Sequence, residues 1–357
     1  MKVFYTPRHV EHCPATFYMW GQFMDFAADT PGRIAGIREV LESDGHTVED
    51  ACSFGLRPVA AVHSPEYLAY LSSAWSDWQA EAAASRIPPD AARTKDVYPL
   101  AFPARRDKAR YPSDVMGRSG YHAADMWMPI GEKTWDCALA AANLAVAAAE
   151  TVMAGDKAAY ALCRPYGHHA YGDRGGGHCY LNNAAIAAQH LLRKFRRVAL
   201  IDIDVHHGNG AQEIFYNRDD VLTISLHCST EALYPYFVGG ADERGEGAGL
   251  GHNLNLPLPP LSGDGPYLKA FETALARIAA YQPDALVVAL GVDAHEADTH
   301  QTLKISFEGF HEIAARLATL NLPTVLVQEG GYNPETIGRC VGTVLAGIEG
   351  RTLSEAL

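Results

Sequence analysis

A short stretch in the middle of the chain has the residue types and the spacing of a metal site. Asp204 and His206 follow an apolar run, 198–203, that is typical of a buried β-strand. Because side chains two residues apart on an extended strand share a face, both can point at one ion. An oxygen and a nitrogen ligand together suit zinc better than magnesium or calcium. The same alternation turns His207 away, and we interpret it as a structural residue.

Asp293 is the predicted third ligand. The apolar stretch 285–292 before it repeats the pattern of a buried strand that ends in a carboxylate. Two carboxylates and one imidazole leave one of the four zinc positions open, which is typical of catalytic and not of structural sites. Two carboxylates also offset the charge of Zn²⁺, so the metal is a weaker Lewis acid than with three histidines.

Two further apolar stretches end in groups that can assist such a metal. His168 and His169 follow the stretch 158–163, and an imidazole can take up or release a proton near neutral pH. The segment Glu-Gly-Gly-Tyr-Asn at 329–333 follows the stretch 324–327. Every candidate residue therefore comes directly after a predicted strand.

Predicted strands alternate with predicted helices along most of the chain. The first residues, 1–7, are also typical of a strand. Helical patterns cover six ranges: 31–43, 135–153, 182–193, 265–281, 307–320 and 334–348. This alternation predicts an α/β fold with a central, mostly parallel sheet and helices on both faces. The candidate residues then meet at the carboxyl ends of the strands, where such sheets bind ligands.

Length and composition predict one large cytoplasmic domain. The chain has 357 residues, and since no linker, charge run or repeat divides it, we predict a single domain over 1–357. The start does not resemble a signal peptide, and we expect no apolar run near the roughly 20 residues that span a membrane. Seven scattered cysteines without CxxC pairs indicate reduced thiols. The net charge of −13 argues against nucleic acid as a partner.

Six motifs, in order along the chain, resemble those of one enzyme family. They are Gly-His-His-Ala at 167–170, Cys-Tyr-Leu-Asn-Asn at 179–183, Asp-Ile-Asp-Val-His-His-Gly-Asn-Gly at 202–210, Ser-Leu-His at 225–227, Leu-Gly-Val-Asp at 290–293 and Glu-Gly-Gly-Tyr-Asn at 329–333. The family is the zinc-dependent histone deacetylase superfamily, which shares its α/β fold with arginases. Within it, the chain resembles the bacterial acetylpolyamine amidohydrolases.

The resemblance implies an amidohydrolase that removes acetyl groups from acetylpolyamines or similar small cationic amides. It implies one Zn²⁺ per chain, with Fe²⁺ as the alternative, and three ligands for it: Asp204, His206 and Asp293. It also implies three catalytic residues, two histidines that move protons and a phenol that polarises the carbonyl: His168, His169 and Tyr332.

Two residues behind the histidine pair bear on how its members divide acid and base roles. By resemblance, Asp202 is the carboxylate behind the first histidine. Asn209 falls where some relatives have an aspartate behind the second histidine. Because a neutral amide raises the pKa of an imidazole less than a carboxylate does, the division of roles stays open at this point.

Further binding residues are implied by the resemblance alone. A structural potassium site draws on five residues: Asp202, Asp204, His206, Ser225 and Leu226. A second, peripheral ion is implied near three residues: Phe215, Arg218 and Val221. The substrate tunnel is implied to be lined by five: Gly177, His178, Tyr234, Met116 and His300.

The irregular segment 74–133 lies where the polyamine enzymes carry a long insertion. The similarity includes Ala-Trp-Ser-Asp-Trp at 74–78, Phe-Pro-Ala-Arg-Arg at 102–106 and Pro-Ser-Asp at 112–114. In those enzymes the insertion forms a dimer interface and narrows the active-site tunnel. We therefore expect a homodimer or higher homo-oligomer, a small acetylated amine as substrate, and neither nucleic acid nor membrane as a partner.

Some positions depart from the pattern of the family. Tyr166 stands where most relatives have a proline, so the turn before the histidine pair loses one fixed φ angle. Met116 occupies the region of the acidic residue that contacts the distal ammonium of polyamines, and Asp114 or Asp125 is the alternative. Two tunnel positions carry unusual histidines: His178 and His300.

Three other functions remain open from the sequence. A deacetylase of acetyl-lysine in proteins would use the same chemistry. A dimetal ureohydrolase would need carboxylates two residues after His206 and Asp293, where this chain has Gly208 and His295. A sensor of acetylated ligands without catalysis would be expected to lack Tyr332 or the histidine pair, and both are present.

Overall fold

The computed structural model describes residues 1–19, 22–25, 29–87, 96–99 and 106–356. Its strands are β1 (Lys2–Phe4), β2 (Thr16–Met19), β3 (Gln22–Asp25), β4 (Thr47–Glu49), β5 (Ala158–Ala161), β6 (Val198–Asp202), β7 (Val221–Cys228), β8 (Asn253–Leu258), β9 (Ala285–Leu290) and β10 (Thr324–Gln328). Strands β2 and β3 pair with each other in an antiparallel hairpin. The other eight form one parallel sheet in the order β4-β1-β5-β10-β9-β6-β7-β8.

Helices connect the strands of the sheet. They are α1 (Pro31–Ser43), α2 (Arg57–Ala60), α3 (Pro65–Ala83), α4 (Val115–Tyr121), α5 (Thr134–Ala154), α6 (Asn183–Leu191), α7 (Asn209–Phe215), α8 (Asp264–Tyr281), α9 (Phe307–Ala318), α10 (Ile337–Glu349) and α11 (Leu353–Ala356). Short 3₁₀ helices lie at Pro7–Glu11, Arg106–Lys108 and Gly247–Gly249.

The sheet is buried on both faces, as its apolar strands predict. Along β9, Leu286 and Val288 belong to the apolar core that α1, α8, α9 and α10 cover. Their neighbours Ala285 and Val287 belong to a second core, covered by α5 and α6. Because alternate side chains of one strand enter different cores, the sheet lies between two helical layers. The predicted α/β fold is confirmed.

The predicted helices are all present, with ends that differ by up to three residues. Helix α1 has the predicted bounds, whereas α10 begins at Ile337 and not at Pro334. Asn182, predicted as the first residue of α6, is its cap, because its side-chain oxygen accepts a hydrogen bond from the Ala185 amide at 2.9 Å. That bond satisfies an amide of the first turn that has no partner within the helix.

Helix α5 is long enough and apolar enough to cross a membrane by length and composition, so our expectation that no apolar run approaches this length was wrong. Most of this helix is inside the fold, where 67% of its apolar window is buried against α6, β5 and their neighbours. Its apolar composition therefore has an explanation in the core. The seven cysteines, all among the described residues, form no disulfide.

The segment 74–133 is only partly described. Helix α3 continues into it as far as residue 83, and Trp78 is buried in a third apolar core together with Met128 and Ile130. The motif at 102–106 lies largely outside the described residues. The single domain with an insertion at 74–133 therefore stays a prediction.

Four adjacent strands at the centre of the sheet position the candidate residues. In the sheet, β5, β10, β9 and β6 are neighbours. The histidine pair follows β5, Tyr332 follows β10, and the predicted metal ligands follow β9 and β6. Since all four strands run in the same direction, their carboxyl ends bring residues far apart in the sequence to one edge.

Candidate active site

The three predicted metal ligands lie together in the interior. The ligand atoms of Asp204, His206 and Asp293 are all within 4.8 Å of one another, and all three residues are buried. Nδ1 of His206 is 3.0 Å from Oδ1 of Asp204 and 3.2 Å from Oδ2 of Asp293. One edge of the imidazole therefore faces two carboxylates.

Backbone amides fix the two carboxylates from behind. Oδ2 of Asp204 accepts a hydrogen bond from the Gly330 amide at 2.8 Å, and Oδ1 of Asp293 accepts one from the Val205 amide at 2.8 Å. Gly330 must be a glycine, because a Cβ there would lie 2.3 Å from Asp293 and 2.5 Å from Asp204. These bonds aim the remaining carboxylate oxygens at His206.

The three side chains fit a divalent cation. Oδ2 of Asp293 lies close to His206, yet among the described residues it has no partner with hydrogen-bond geometry. Burial lowers the pKa of His206, but its contacts with Asp204 and Asp293 raise it to about 9. Two buried carboxylates around one imidazole nitrogen thus leave a site of high negative charge, which a cation such as Zn²⁺ satisfies.

His168 and His169 are held by different partners. Nδ1 of His168 lies 2.8 Å from Oδ2 of Asp202, whose other oxygen accepts from the Asp204 amide at 3.0 Å. Nδ1 of His169 lies 2.6 Å from Oδ1 of Asn209. The predicted supports are therefore in contact with the two imidazoles, a carboxylate behind the first and an amide behind the second.

These partners give the two histidines opposite pKa shifts. Burial lowers the pKa of His168, but the charges of Asp204 and Asp202 outweigh it, and the pKa is raised. The pKa of His169 is lowered by burial and by the nearby imidazoles His168 and His206. A neutral amide partner does not reverse that effect, whereas the carboxylate partner of His168 does.

Glu329 supports the histidine pair through the backbone, a role that we did not predict. Its Oε2 accepts hydrogen bonds from the amides of Gly167 at 2.7 Å and His168 at 3.1 Å. Burial raises the pKa of Glu329 to about 8. The residue belongs to a motif that we singled out, but a contact between positions so far apart has no local signal in the sequence.

Tyr332 has a half-buried phenol in the same cluster of side chains. Its amide donates to Oδ2 of Asp298 at 2.7 Å, and its ring lies 4.7 Å from the ring of His300. Burial raises its pKa, so the hydroxyl stays protonated at neutral pH and is a hydrogen-bond donor. Its hydroxyl donates to that of Tyr166 at 3.1 Å.

Aromatic rings form a wall beside the histidine pair. The ring of Tyr234 lies 4.8 Å from that of His169 and 5.1 Å from that of Trp127. Trp127 is in turn stacked near His178, with ring centroids 6.3 Å apart. His178 and Tyr234 were predicted to line the tunnel, whereas Trp127 was not, although it lies within the segment 74–133.

Asp125 links the residues of this wall through hydrogen bonds. Its Oδ2 accepts from the Tyr234 hydroxyl at 2.5 Å and from the Gly177 amide at 3.0 Å, and its Oδ1 accepts from the Trp127 amide at 2.7 Å. The other acidic candidate, Asp114, caps α4 by accepting from the Gly117 amide at 2.8 Å. Both carboxylates thus have partners within the chain.

Gly177 allows the wall to approach the histidines, and its replacement tests the tunnel. Its φ is +53°, and a Cβ there would lie 2.5 Å from the His169 ring and 2.9 Å from the Tyr234 hydroxyl. We expect Gly177→Ala to lower kcat/KM by roughly tenfold or more, because reacting groups tolerate little displacement.

Gly45→Ala is the matched control for this substitution. Gly45 has a φ of +72° with open space around its Cβ position, so it carries the backbone strain without the contacts. Steady-state kinetics of both variants separate the two effects. Equal losses in kcat/KM would contradict a role for Gly177 in shaping the tunnel.

The other predicted positions differ in what surrounds them. His300 is within 5.6 Å of the His206 ring, measured between centroids. Met116 is half-buried and packs against the third apolar core, so its place in the tunnel stays a prediction. His207 contacts Gln212 and Asn255 at 3.1 Å each, and burial lowers its pKa to about 4. These contacts fit a structural residue.

The implied cation sites also stay predictions. Ser225 lies 2.9 Å from Nδ1 of His227 and, with Asp202, lines a cavity of about 10 Å³. At the implied peripheral site, Arg218 forms an ion pair with Asp220 at 2.7 Å and lies over the ring of Phe215.

Comparison with known proteins decides the family. The model of the histone deacetylase domain matches residues 28–348. The chain belongs to the histone deacetylase family. It is 44% identical to acetylpolyamine amidohydrolase 1 of Pseudomonas aeruginosa over 83% of this chain and 84% of that protein. Acetylpolyamine amidohydrolase of Burkholderia pseudomallei is 40% identical over 94% of this chain and 95% of its own length.

A solved structure agrees with these matches. The crystal structure of acetylpolyamine aminohydrolase from Burkholderia pseudomallei superposes with a TM-score of 0.91 at 38% identity and covers 98% of both chains. The predicted family, fold and enzyme class are thus confirmed, and the chain is a hydrolytic deacetylase.

Proposed function

We propose that this chain hydrolyses the acetyl amide of small acetylated amines, with acetylpolyamines as the substrate class. The observation that carries the proposal is the meeting of one metal-binding trio, a histidine pair and a half-buried phenol beside an aromatic wall. Relatives named acetylpolyamine amidohydrolase match over most of their length, which supports the same substrate class.

The chain's own groups divide the work of hydrolysis. A metal held by Asp204, His206 and Asp293 would supply Lewis acidity towards the acetyl carbonyl and lower the pKa of a nearby water. Tyr332 donates a hydrogen bond to the carbonyl oxygen, and this bond strengthens as negative charge develops there. The aromatic wall keeps bulk water away from these groups, which strengthens each electrostatic contact.

We assign the base role to His169. Asn209 donates its amide hydrogen to the Tyr171 hydroxyl at 2.7 Å, which orients its oxygen towards Nδ1 of His169. Nδ1 therefore carries the proton of the neutral ring, and Nε2 is free to accept one from water. His168, whose pKa is raised, keeps its proton and its positive charge beside the reacting groups. The leaving amine then takes its proton from this pair.

Zinc is the proposed metal, since two carboxylates and an imidazole with one open position suit it, and Fe²⁺ is the alternative. The structural potassium ion, the homodimer through the segment 74–133 and a cytoplasmic location are part of the same proposal. Metal content tests it against the dimetal alternative. One metal per chain supports a deacetylase, and two would support a ureohydrolase.

The substrate class is tested by three acetamides. We expect acetylputrescine to be hydrolysed faster than an acetylated histone tail, because the aromatic wall admits a slender chain more easily than a protein surface. Its advantage over neutral N-butylacetamide should be modest, since Asp114 and Asp125 already accept hydrogen bonds within the chain. The measurement is kcat/KM for all three substrates.

The kcat/KM values for the three acetamides distinguish the candidate functions. A clear preference for the histone tail would overturn the polyamine proposal in favour of a protein deacetylase. A large preference for acetylputrescine over N-butylacetamide would show that a carboxylate binds the distal ammonium of the substrate. No acetate release from any of the three would support a non-catalytic sensor.

A further inference from the structure

Tyr166 contacts the phenol on which the proposed chemistry depends. It lies in the loop between β5 and the histidine pair, and only 1% of its surface is exposed. Its hydroxyl accepts the hydrogen of the Tyr332 hydroxyl at 3.1 Å, and the two rings meet edge to face with centroids 6.2 Å apart. Tyr166 is the residue that replaces the proline expected from the family pattern.

The rest of Tyr332 is already held by other groups. Its amide is bonded to Asp298, and the guanidinium of Arg33 lies 4.9 Å from its ring centroid. Arg33 itself is fixed by Asp29 at 2.7 Å and by the Glu329 carbonyl at 2.8 Å. These contacts fix the backbone and the ring of Tyr332, but they do not orient its hydroxyl hydrogen.

A phenol can donate one hydrogen bond and accept others at the same oxygen. When Tyr332 donates to a substrate carbonyl, its oxygen becomes free to accept a hydrogen bond from Tyr166. A donor on that oxygen polarises the hydroxyl and strengthens the bond that Tyr332 makes, because hydrogen bonds in a chain reinforce one another.

We propose that Tyr166 is a positioning residue for the reaction, which orients the Tyr332 hydroxyl and donates to its oxygen while Tyr332 donates to the substrate carbonyl. This inference rests on the proposed function. The proposal gives the Tyr166 hydroxyl a role in the reaction. The ring alone would only fill the space that a proline occupies in most relatives. The role acts only through Tyr332, and that dependence can be measured.

The first measurement is the kinetics of Tyr166→Phe with acetylputrescine. The substitution keeps the ring and removes the hydroxyl. We expect kcat to fall by roughly tenfold, the effect of one hydrogen bond to a group that gains charge, while KM changes by less than about twofold. An unchanged kcat, or a change in KM alone, would overturn the proposal.

The second measurement is a double-mutant cycle with Tyr332→Phe. If Tyr166 acts through the Tyr332 hydroxyl, the double variant should be no slower than Tyr332→Phe alone. A purely structural role would give independent losses, so kcat of the double variant would fall by the product of the two single effects. That additive result would overturn the proposal.

Tyr160→Phe is the control for the loss of a buried hydroxyl. Tyr160 is fully buried on β5 and donates its hydroxyl to Gln328. We expect similar losses of melting temperature for Tyr160→Phe and Tyr166→Phe, with a fall in kcat only for the second. Equal falls in kcat would identify a general effect of destabilisation and would overturn the proposal.

The cycle also separates this inference from the proposed function. A wild-type protein that releases no acetate from any acetylated amine would overturn the proposed function and the inference with it. A wild-type protein that deacetylates acetylputrescine, with independent losses in the cycle, would overturn only the role of Tyr166.

Discussion

His206→Ala is expected to reduce bound metal from one per chain to nearly none and to abolish turnover. The imidazole is the only nitrogen ligand in the trio, and its Nδ1 faces both carboxylates. Without it, two buried carboxylates face each other with no cation to offset their charge, and the site loses its metal. Metal analysis of the purified variant, beside its kcat with acetylputrescine, checks this result.

His207→Ala is the matched control for the metal site. It removes the adjacent imidazole, whose contacts are with Gln212 and Asn255 and not with the trio. We expect this variant to keep one metal per chain. Purified His206→Ala that binds metal stoichiometrically with unchanged affinity would show that the ligands are assigned wrongly.

Tyr332→Phe should lower kcat by roughly 10²-fold or more, the usual effect of losing one donor to a developing oxyanion. The ring and its contact with Arg33 remain, and the hydroxyl is not among the metal-binding atoms. Metal content should therefore stay at one per chain. Kinetics together with metal analysis separate this chemical effect from the loss of metal in His206→Ala.

If Tyr332→Phe has the same kcat as the wild-type protein, the hydroxyl of Tyr332 takes no part in the mechanism. A loss of bound metal in the same variant would show that its effect is structural. Either result would also leave Tyr166 without the partner through which it is proposed to act.

The meeting of Asp204, His206 and Asp293 could be predicted from the sequence because its signal is local. Buried parallel strands are continuous apolar runs, so 198–203 and 285–292 were recognisable without the structure. Period-two alternation separated His206 from His207 in the prediction, although β6 ends at Asp202 and residues 204–206 form a bend. Since parallel strands end at one edge of a sheet, the topology brought Asp293 to the other two side chains.

Contacts between distant loops could not be predicted in this way. The hydroxyl bond between Tyr166 and Tyr332 joins side chains whose positions depend on the order of strands β5 and β10 in the sheet. The support of the histidine backbone by Glu329 has the same origin. Neither Tyr166 nor Glu329 stands in a periodic sequence pattern that would distinguish it from a packing residue.

The expectation that no apolar run approaches membrane-spanning length was wrong. Helix α5 has that length and composition, and its apolar side chains are buried between the sheet and α6. Asp125 was named, with Asp114, as an alternative contact for the distal ammonium, and that contact stays a prediction. In the structure its oxygens accept hydrogen bonds from Tyr234, Gly177 and Trp127.

The most direct test of the account is the stoichiometry of products from acetylputrescine. Metal-loaded wild-type protein is expected to release acetate and putrescine in equal amounts, and His206→Ala is expected to release neither. Both products can be quantified in one reaction by proton NMR. Metal-loaded, folded protein that forms no acetate, or His206→Ala that forms it at the wild-type rate, would contradict a metal-dependent deacetylase at this site.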